Sequence, residues 1–152
     1  MTVEAVSPVA GTVMALADVP DPVFSAGYVG PGLAVAPDAG AGRTVVAPVT
    51  GTVAKLHPHA FVVAQADGRG VLVHLGIDTV QLDGEGFTLH VAEGDAVEVG
   101  QHLVTWDPAA VAAGGRSAVV PVVLLDAAPD ALKDAPEPGT SVTAGDVLFR
   151  AE

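Results

Sequence analysis

Five histidines, His57, His59, His74, His90 and His102, are the side chains of this sequence best suited to chemistry near neutral pH, and no cysteine shares the work with them. His74 stands out by its surroundings. It lies in Val71-Leu72-Val73-His74-Leu75-Gly76, where strand alternation puts Leu72 and His74 on one face and Val71, Val73 and Leu75 on the other. An ionisable ring in such a run costs stability unless it is paired or used. Its partner follows from hairpin spacing. His59 precedes Asp67 by eight residues and His74 follows it by seven. A turn at Ala66-Asp67-Gly68, with Gly68 at positive φ, therefore sets the two imidazoles opposite each other within one residue of register.

Two facing imidazoles have a short list of uses. Alone they make a poor metal site, although His57 of His57-Pro58-His59 adds a third nitrogen, so a metal at His59 and His74 remains a minor alternative. No resident cofactor is expected. Hydrolysis needs a nucleophile or a water held by a third orienting group, and no such group is placed by the sequence. A neutral imidazole nitrogen is itself a nucleophile when the other ring nitrogen is held as an N–H donor, and phosphoryl acceptance uses that property. Other signatures are missing. Gly30-Pro31-Gly32 and Gly84-Glu85-Gly86 lack the third glycine of a dinucleotide loop, no glycine-rich loop ends in Lys-Ser or Lys-Thr, and neither a Gly-x-Ser-x-Gly elbow nor a His-x-x-x-His pair occurs. Asp83 and Glu85, flanking Gly84, read as solvated turn acids.

The elements that must position these rings are strands. The chain has 152 residues, about one domain, and half of them are apolar, which excludes disorder. With 18 Gly and 12 Pro it cannot sustain long helices. Valine-rich runs at Val45-Val46, Phe61 to Ala64, Val71 to Val73 and Val119 to Leu125 are bounded by Gly, Pro or Asp and predict strands. Helix is confined to short pieces: Asp107-Pro108 opens one that stops at Gly114, Pro129 to Ala135 is a second candidate, and Asp21-Pro22 opens a single turn. Two echoes organise the whole. Val6 to Leu16 recurs forty residues on as Val46 to Leu56, and Gly94, Val97, Gly100 and Leu103 recur as Gly139, Val142, Gly145 and Leu148. Two copies are too few for a solenoid. The sequence predicts one all-β domain over 1–152, an antiparallel β-sandwich with barrel-like closure built from a duplicated motif, plus a few short helices.

The formal net charge is -12. That balance repels nucleic acid and anionic membrane and favours a basic protein partner. The absence of cysteine, of a signal peptide in Met1 to Pro8 and of any apolar stretch near the ~20 residues of a membrane span predicts a soluble cytoplasmic protein.

Val46-Ala47-Pro48-Val49-Thr50-Gly51-Thr52-Val53, His59-Ala60-Phe61, Val73-His74-Leu75-Gly76-Ile77-Asp78-Thr79-Val80 and Gly84-Glu85-Gly86-Phe87 together closely resemble the glucose-family enzyme IIA of the bacterial sugar phosphotransferase system. The likeness runs from Val6 to about Phe149. It implies an all-β sandwich from a duplicated motif, and a phosphohistidine carrier in which His74 accepts a phosphoryl group from HPr and passes it to the IIB domain of a glucose- or N-acetylglucosamine-type permease. It implies that His59 stabilises the phosphoryl oxygens, that Asp78 and Val80 line the docking face, and that Phe24, Tyr28 and Val29 form an apolar rim. It admits regulated enzymes or transporters as further partners. One departure is visible: the family often has a hydroxyl residue two positions before the first histidine, and here His57 occupies it. The basic N-terminal membrane tail of some members has no counterpart in the first residues, so no membrane anchor is expected. The Gly-x-x-Val-x-x-Gly-x-x-Leu echoes also resemble biotinyl and lipoyl carrier hairpins, which require a lysine at an exposed tip, and only Lys55 and Lys133 exist. A regulatory binding protein using the same face is the third reading. For phosphoryl acceptance, Nδ1–H of His74 is expected to donate to a nearby carbonyl, leaving Nε2 as acceptor.

Overall fold

Short valine-rich runs cut by glycine and proline can bury themselves only as strands, and in the computed structural model, which describes residues 2–152, they do so. Met1, the first residue of the segment read as lacking a signal peptide, lies outside the described residues. The strands are β1 (Val3–Val6), β2 (Gly11–Ala15), β3 (Gly32–Pro37), β4 (Thr44–Val46), β5 (Gly51–His57), β6 (Ala60–Ala64), β7 (Gly70–His74), β8 (Thr88–Leu89), β9 (Ala96–Val97), β10 (His102–Thr105), β11 (Val120–Leu124), β12 (Ser141–Val142) and β13 (Val147–Ala151). They form an eight-stranded sheet in the order β12-β2-β3-β11-β7-β6-β5-β9, a three-stranded sheet β4-β10-β8, and the pair β1-β13. Every pairing is antiparallel.

The duplication is written in the hydrogen bonds. Val6 N–H donates to the Pro48 carbonyl and Val46 N–H donates to Pro8, both at 2.9 Å, so the two echoes brace each other reciprocally. The C-terminal echoes follow the same rule: Gly94 N–H donates to Val53 and Gly139 N–H to Val13, each at 2.8 Å. These glycines sit at φ 94° and 93°, a region closed to most side chains, which is why the spacing recurs with glycine. The fold class expected from the sequence is the one observed.

Two hydrophobic clusters hold the sheets. The larger lies between them and includes Val71, Val73, Leu75, Phe61, Leu103, Trp106 and Phe149. The smaller lies on the opposite face of the large sheet and gathers Phe24, Ile77, Val119 and Val123, with Leu72 and Val29 packed against it. Val71, Val73 and Leu75 are fully buried whereas Leu72 and His74 are not, so the alternation read in β7 holds. His74 thereby faces the smaller cluster, away from the main core.

The helices are short. Helix α1 (Pro22–Ser25) is capped by Asp21, whose carboxylate accepts from Val23 N–H at 2.9 Å. Helix α2 (Pro108–Ala113) is capped by Asp107 and ends at Gly114. The helix expected over Pro129 to Ala135 does not form. Lys133 instead exchanges both backbone hydrogen bonds with Arg150 of β13, at 2.6 and 2.8 Å, and Asp134 turns away at φ 57°. A sheet edge offering a complete pair of bonds outcompetes a helix confined between Pro129 and Pro136, too short to satisfy its own termini.

Candidate functional site

The site is built on the β6–β7 hairpin. Gln65 N–H donates to the Arg69 carbonyl and Gly68 takes φ 90°, closing the turn at the place the spacing predicts. The ladder pairs Ala60 with His74, and Leu75 N–H extends it by donating to the His59 carbonyl at 2.7 Å. His59 and His74 therefore meet one residue out of direct register, with ring centroids 5.2 Å apart in an edge-to-face arrangement.

His74 is oriented by the loop that follows it. Its Nδ1 lies 2.5 Å from the Gly76 carbonyl oxygen, which can only accept, so Nδ1 carries the proton and the neutral ring keeps its lone pair on Nε2. The Gly76 carbonyl is itself fixed: Gly76 N–H donates to Val119 at 3.1 Å and Ile77 N–H to Ser117 at 2.9 Å. A side chain at Gly76 would sit 2.6 Å from the Thr79 methyl at φ 79°, so only glycine lets the turn close. Buried Thr79 donates its hydroxyl to the Leu75 carbonyl at 2.6 Å and locks the same turn. Thr79→Val keeps the shape but leaves that carbonyl without a donor. We expect a loss of about 1–3 kcal/mol of stability, read from the urea unfolding midpoint.

Burial pushes the His74 imidazole below the ordinary histidine range, while the Gly76 carbonyl and the Asp21 and Asp78 carboxylates pull partly the other way. His59 is lowered by burial and then by the His74 and His57 rings beside it. Both rings are therefore mainly neutral near pH 7. His57 stacks on His59 with centroids 5.7 Å apart and an interplanar angle of 27°. Pro58 packs against Gly84, where a Cβ would lie 3.3 Å from its ring. The His59 ring is thus set between two imidazoles, a placement the sequence left open. Among the described residues no group of three or more His, Cys, Asp or Glu side chains is arranged to hold a metal.

The rim residues separate. Phe24 is buried and meets His74 edge-on at 5.2 Å, so it is both core and wall of the site. Val80 is 58 % exposed, Asp78 is exposed, and Val23 is 49 % exposed on the helix that carries Phe24. Tyr28 projects into solvent at 81 % exposure, and Val29 packs against the smaller cluster. Sequence reasoning missed Asp21, read only as a helix cap although its charge also acts on His74, and Thr79, whose hydroxyl inside a hydrophobic run was the available signal. Lys55 lies in β5 at a bulge and Lys133 is bridged to β13, so neither lysine occupies the tip that a biotinyl or lipoyl carrier requires.

The chain is similar to a known group of proteins. The family described as phosphoenolpyruvate-dependent sugar phosphotransferase system, EIIA 1, matches residues 3–129. A glucose-specific EIIA component of Oceanobacillus iheyensis is 40% identical over 121 residues, covering 78% of this chain and 72% of the relative. A mannose-specific EIIBCA component of Corynebacterium glutamicum is 43% identical over 128 residues, 83% of this chain, of which the match spans only 18% of the relative's length. The solved glucose permease IIA of Mycoplasma capricolum superposes with a TM-score of 0.90 at 32% identity, covering 100% of this chain and 97% of that one.

Proposed function

Since the chain belongs to the EIIA 1 family of the phosphoenolpyruvate-dependent sugar phosphotransferase system, we propose that it is a phosphohistidine carrier working through His74. The observation that carries this reading is the His74 ring held through Nδ1 by the Gly76 carbonyl, with Nε2 left as nucleophile beside His59. In the proposed step the Nε2 lone pair forms an N–P bond while the phosphorus–nitrogen bond to the HPr histidine breaks, its electron pair leaving with that ring. The Nδ1–H···O bond strengthens as positive charge grows on the His74 ring. His59 donates to the phosphoryl oxygens during flight, where a fixed donor lowers the barrier most. The reverse geometry delivers the group to a IIB domain of a glucose- or N-acetylglucosamine-type permease.

The whole chain would act as one cytoplasmic EIIA domain. Among the described residues no helix is long and apolar enough to cross a membrane. Phe24 and Val80, with Asp78, would form the docking face, Tyr28 and Val29 its outlying margin. Reconstitution with HPr, enzyme I and phosphoenolpyruvate, followed by phosphopeptide mapping, tests the reading: acid-labile phosphate is expected on the peptide containing His74. Phosphate on any other peptide would overturn it.

Charge sets a further expectation. The chain carries -12, and Asp21 and Asp78 act on the site beside exposed Val23 and Val80. A basic partner would be steered to such a face through the long-range field, which salt screens, whereas the apolar centre is insensitive to salt. The rate of phosphoryl uptake from HPr should fall between about 0.02 M and 0.3 M salt. Equal rates in stopped-flow measurements would remove the steering.

A further inference from the structure

His90 and His102 take no part in the phosphoryl site, yet among the described residues they form the closest pair of rings. Their centroids are 4.4 Å apart at 47°, and both residues are exposed, His102 at the start of β10 and His90 immediately after its neighbour β8. The backbone pins them. His90 N–H donates to the Leu103 carbonyl at 2.9 Å, immediately beyond the Leu89–Val104 and Thr88–Thr105 register pairs. Thr105 stands between the rings: its Oγ1 lies 2.8 Å from His90 Nε2 and 3.0 Å from His102 Nε2. His102 Nε2 is also 3.0 Å from the Val104 carbonyl.

These contacts assign the protons. A carbonyl only accepts, so His102 Nε2 carries a hydrogen shared between the Val104 carbonyl and Thr105 Oγ1. The Thr105 hydroxyl then donates to His90 Nε2, which presents its lone pair to the same spot. Two imidazole nitrogens therefore meet at one hydroxyl oxygen, with His102 and Thr105 in β10 and the His90 backbone hydrogen-bonded to that strand. Donor atoms bound to one ion at about 2.0–2.1 Å lie roughly 2.9–3.4 Å from each other. Thr105 Oγ1, at 2.8 and 3.0 Å from the two nitrogens, is already close to that spacing from each.

We propose that His90, His102 and Thr105 form a surface site for a borderline divalent transition ion such as Zn2+, bound through the two Nε2 atoms with oxygen from Thr105 and water completing the shell. Imidazole suits such ions, and hard cations such as Mg2+ prefer carboxylate and water oxygen. Binding moves the His102 proton from Nε2 to Nδ1, so the ring stays neutral and no net proton is lost. The site does not depend on the phosphoryl-carrier reading.

The test is a Zn2+ titration of the intact 15N-labelled protein, following the imidazole nitrogens of all five histidines. His90 and His102 should shift together and saturate at one ion per pair, with His90→Gln and His102→Gln each weakening that event by at least about tenfold, the lower end of the loss seen when even an outer partner of a metal ligand is removed. Glutamine retains size and polarity, and an unchanged thermal midpoint separates lost binding from lost folding. Mg2+ should leave both rings unmoved. The proposal is overturned if Zn2+ shifts only His59 and His74, if either glutamine variant binds as the parent does, or if Mg2+ reproduces the shifts.

Discussion

Replacing His74 by alanine should abolish phosphoryl uptake altogether, with no residual transfer to a IIB domain. The reason is the scarcity of alternatives. His74 alone has its Nδ1 proton fixed by the Gly76 carbonyl in a turn locked by Val119, Ser117 and Thr79. His59 sits close by, yet its ring is placed by two neighbouring imidazoles and lacks that carbonyl anchor. The folded protein should survive the change, because His74 projects from the less crowded face of β7. Burial lowers the His74 pKa, so Nε2 stays unprotonated to lower pH than in a free histidine. Uptake by the parent should therefore hold as pH falls through the ordinary histidine value of about 6.5 and fail only below it. An alanine variant that still carries acid-labile phosphate, or a parent profile that collapses at the ordinary value, would contradict the assignment.

His59→Gln should divide the reaction into its halves. Glutamine keeps a donor of comparable reach but neither the ring that stacks on His57 nor the edge that meets His74. The variant should still take up phosphate from HPr, because the His74 nucleophile and its Gly76 anchor are unchanged. Delivery to IIB should slow, because the glutamine amide is not held by the neighbouring rings, with the cost of losing a transition-state donor outright, about a hundred- to a thousand-fold, as its upper bound. Single-turnover measurement of each half-reaction separates the two. Equal slowing of both would mean that His59 serves to shape the site rather than to assist transfer.

Much of this site was legible because strands translate spacing into geometry. A turn through Asp67 and Gly68, with histidines eight residues before Asp67 and seven after it, is enough to bring the rings together, since the ladder has a fixed period. The duplicated segments were legible for the same reason, glycine recurring where positive φ recurs. What could not be read was tertiary in origin. Nothing local says that Lys133 will pair with Arg150, which lies seventeen residues on, in preference to a helical turn. Nor does the spacing show that His57 will stack on His59, or that Asp21, the expected helix cap, will also act on a histidine in a different strand. Those depend on which elements the sheets bring alongside one another. The Phe24 side chain illustrates the limit, since an apolar residue that is both core and site wall has one sequence signature for two roles.

The pairing of β1 with β13 sets Val3 opposite Ala151. The first and last strands are thus joined like the two sides of a clasp. A unit closed in this way can be tethered to a neighbour from either end without disturbing its interior, because a leash at one terminus leaves the molecule where a leash at the other would. The longer relatives, in which the matching segment spans only 18% of the length, are compatible with that mechanical economy. The same clasp makes these strands structural: removing either would strip the other of its partner, so modular attachment should leave the Val3–Ala151 pairing intact.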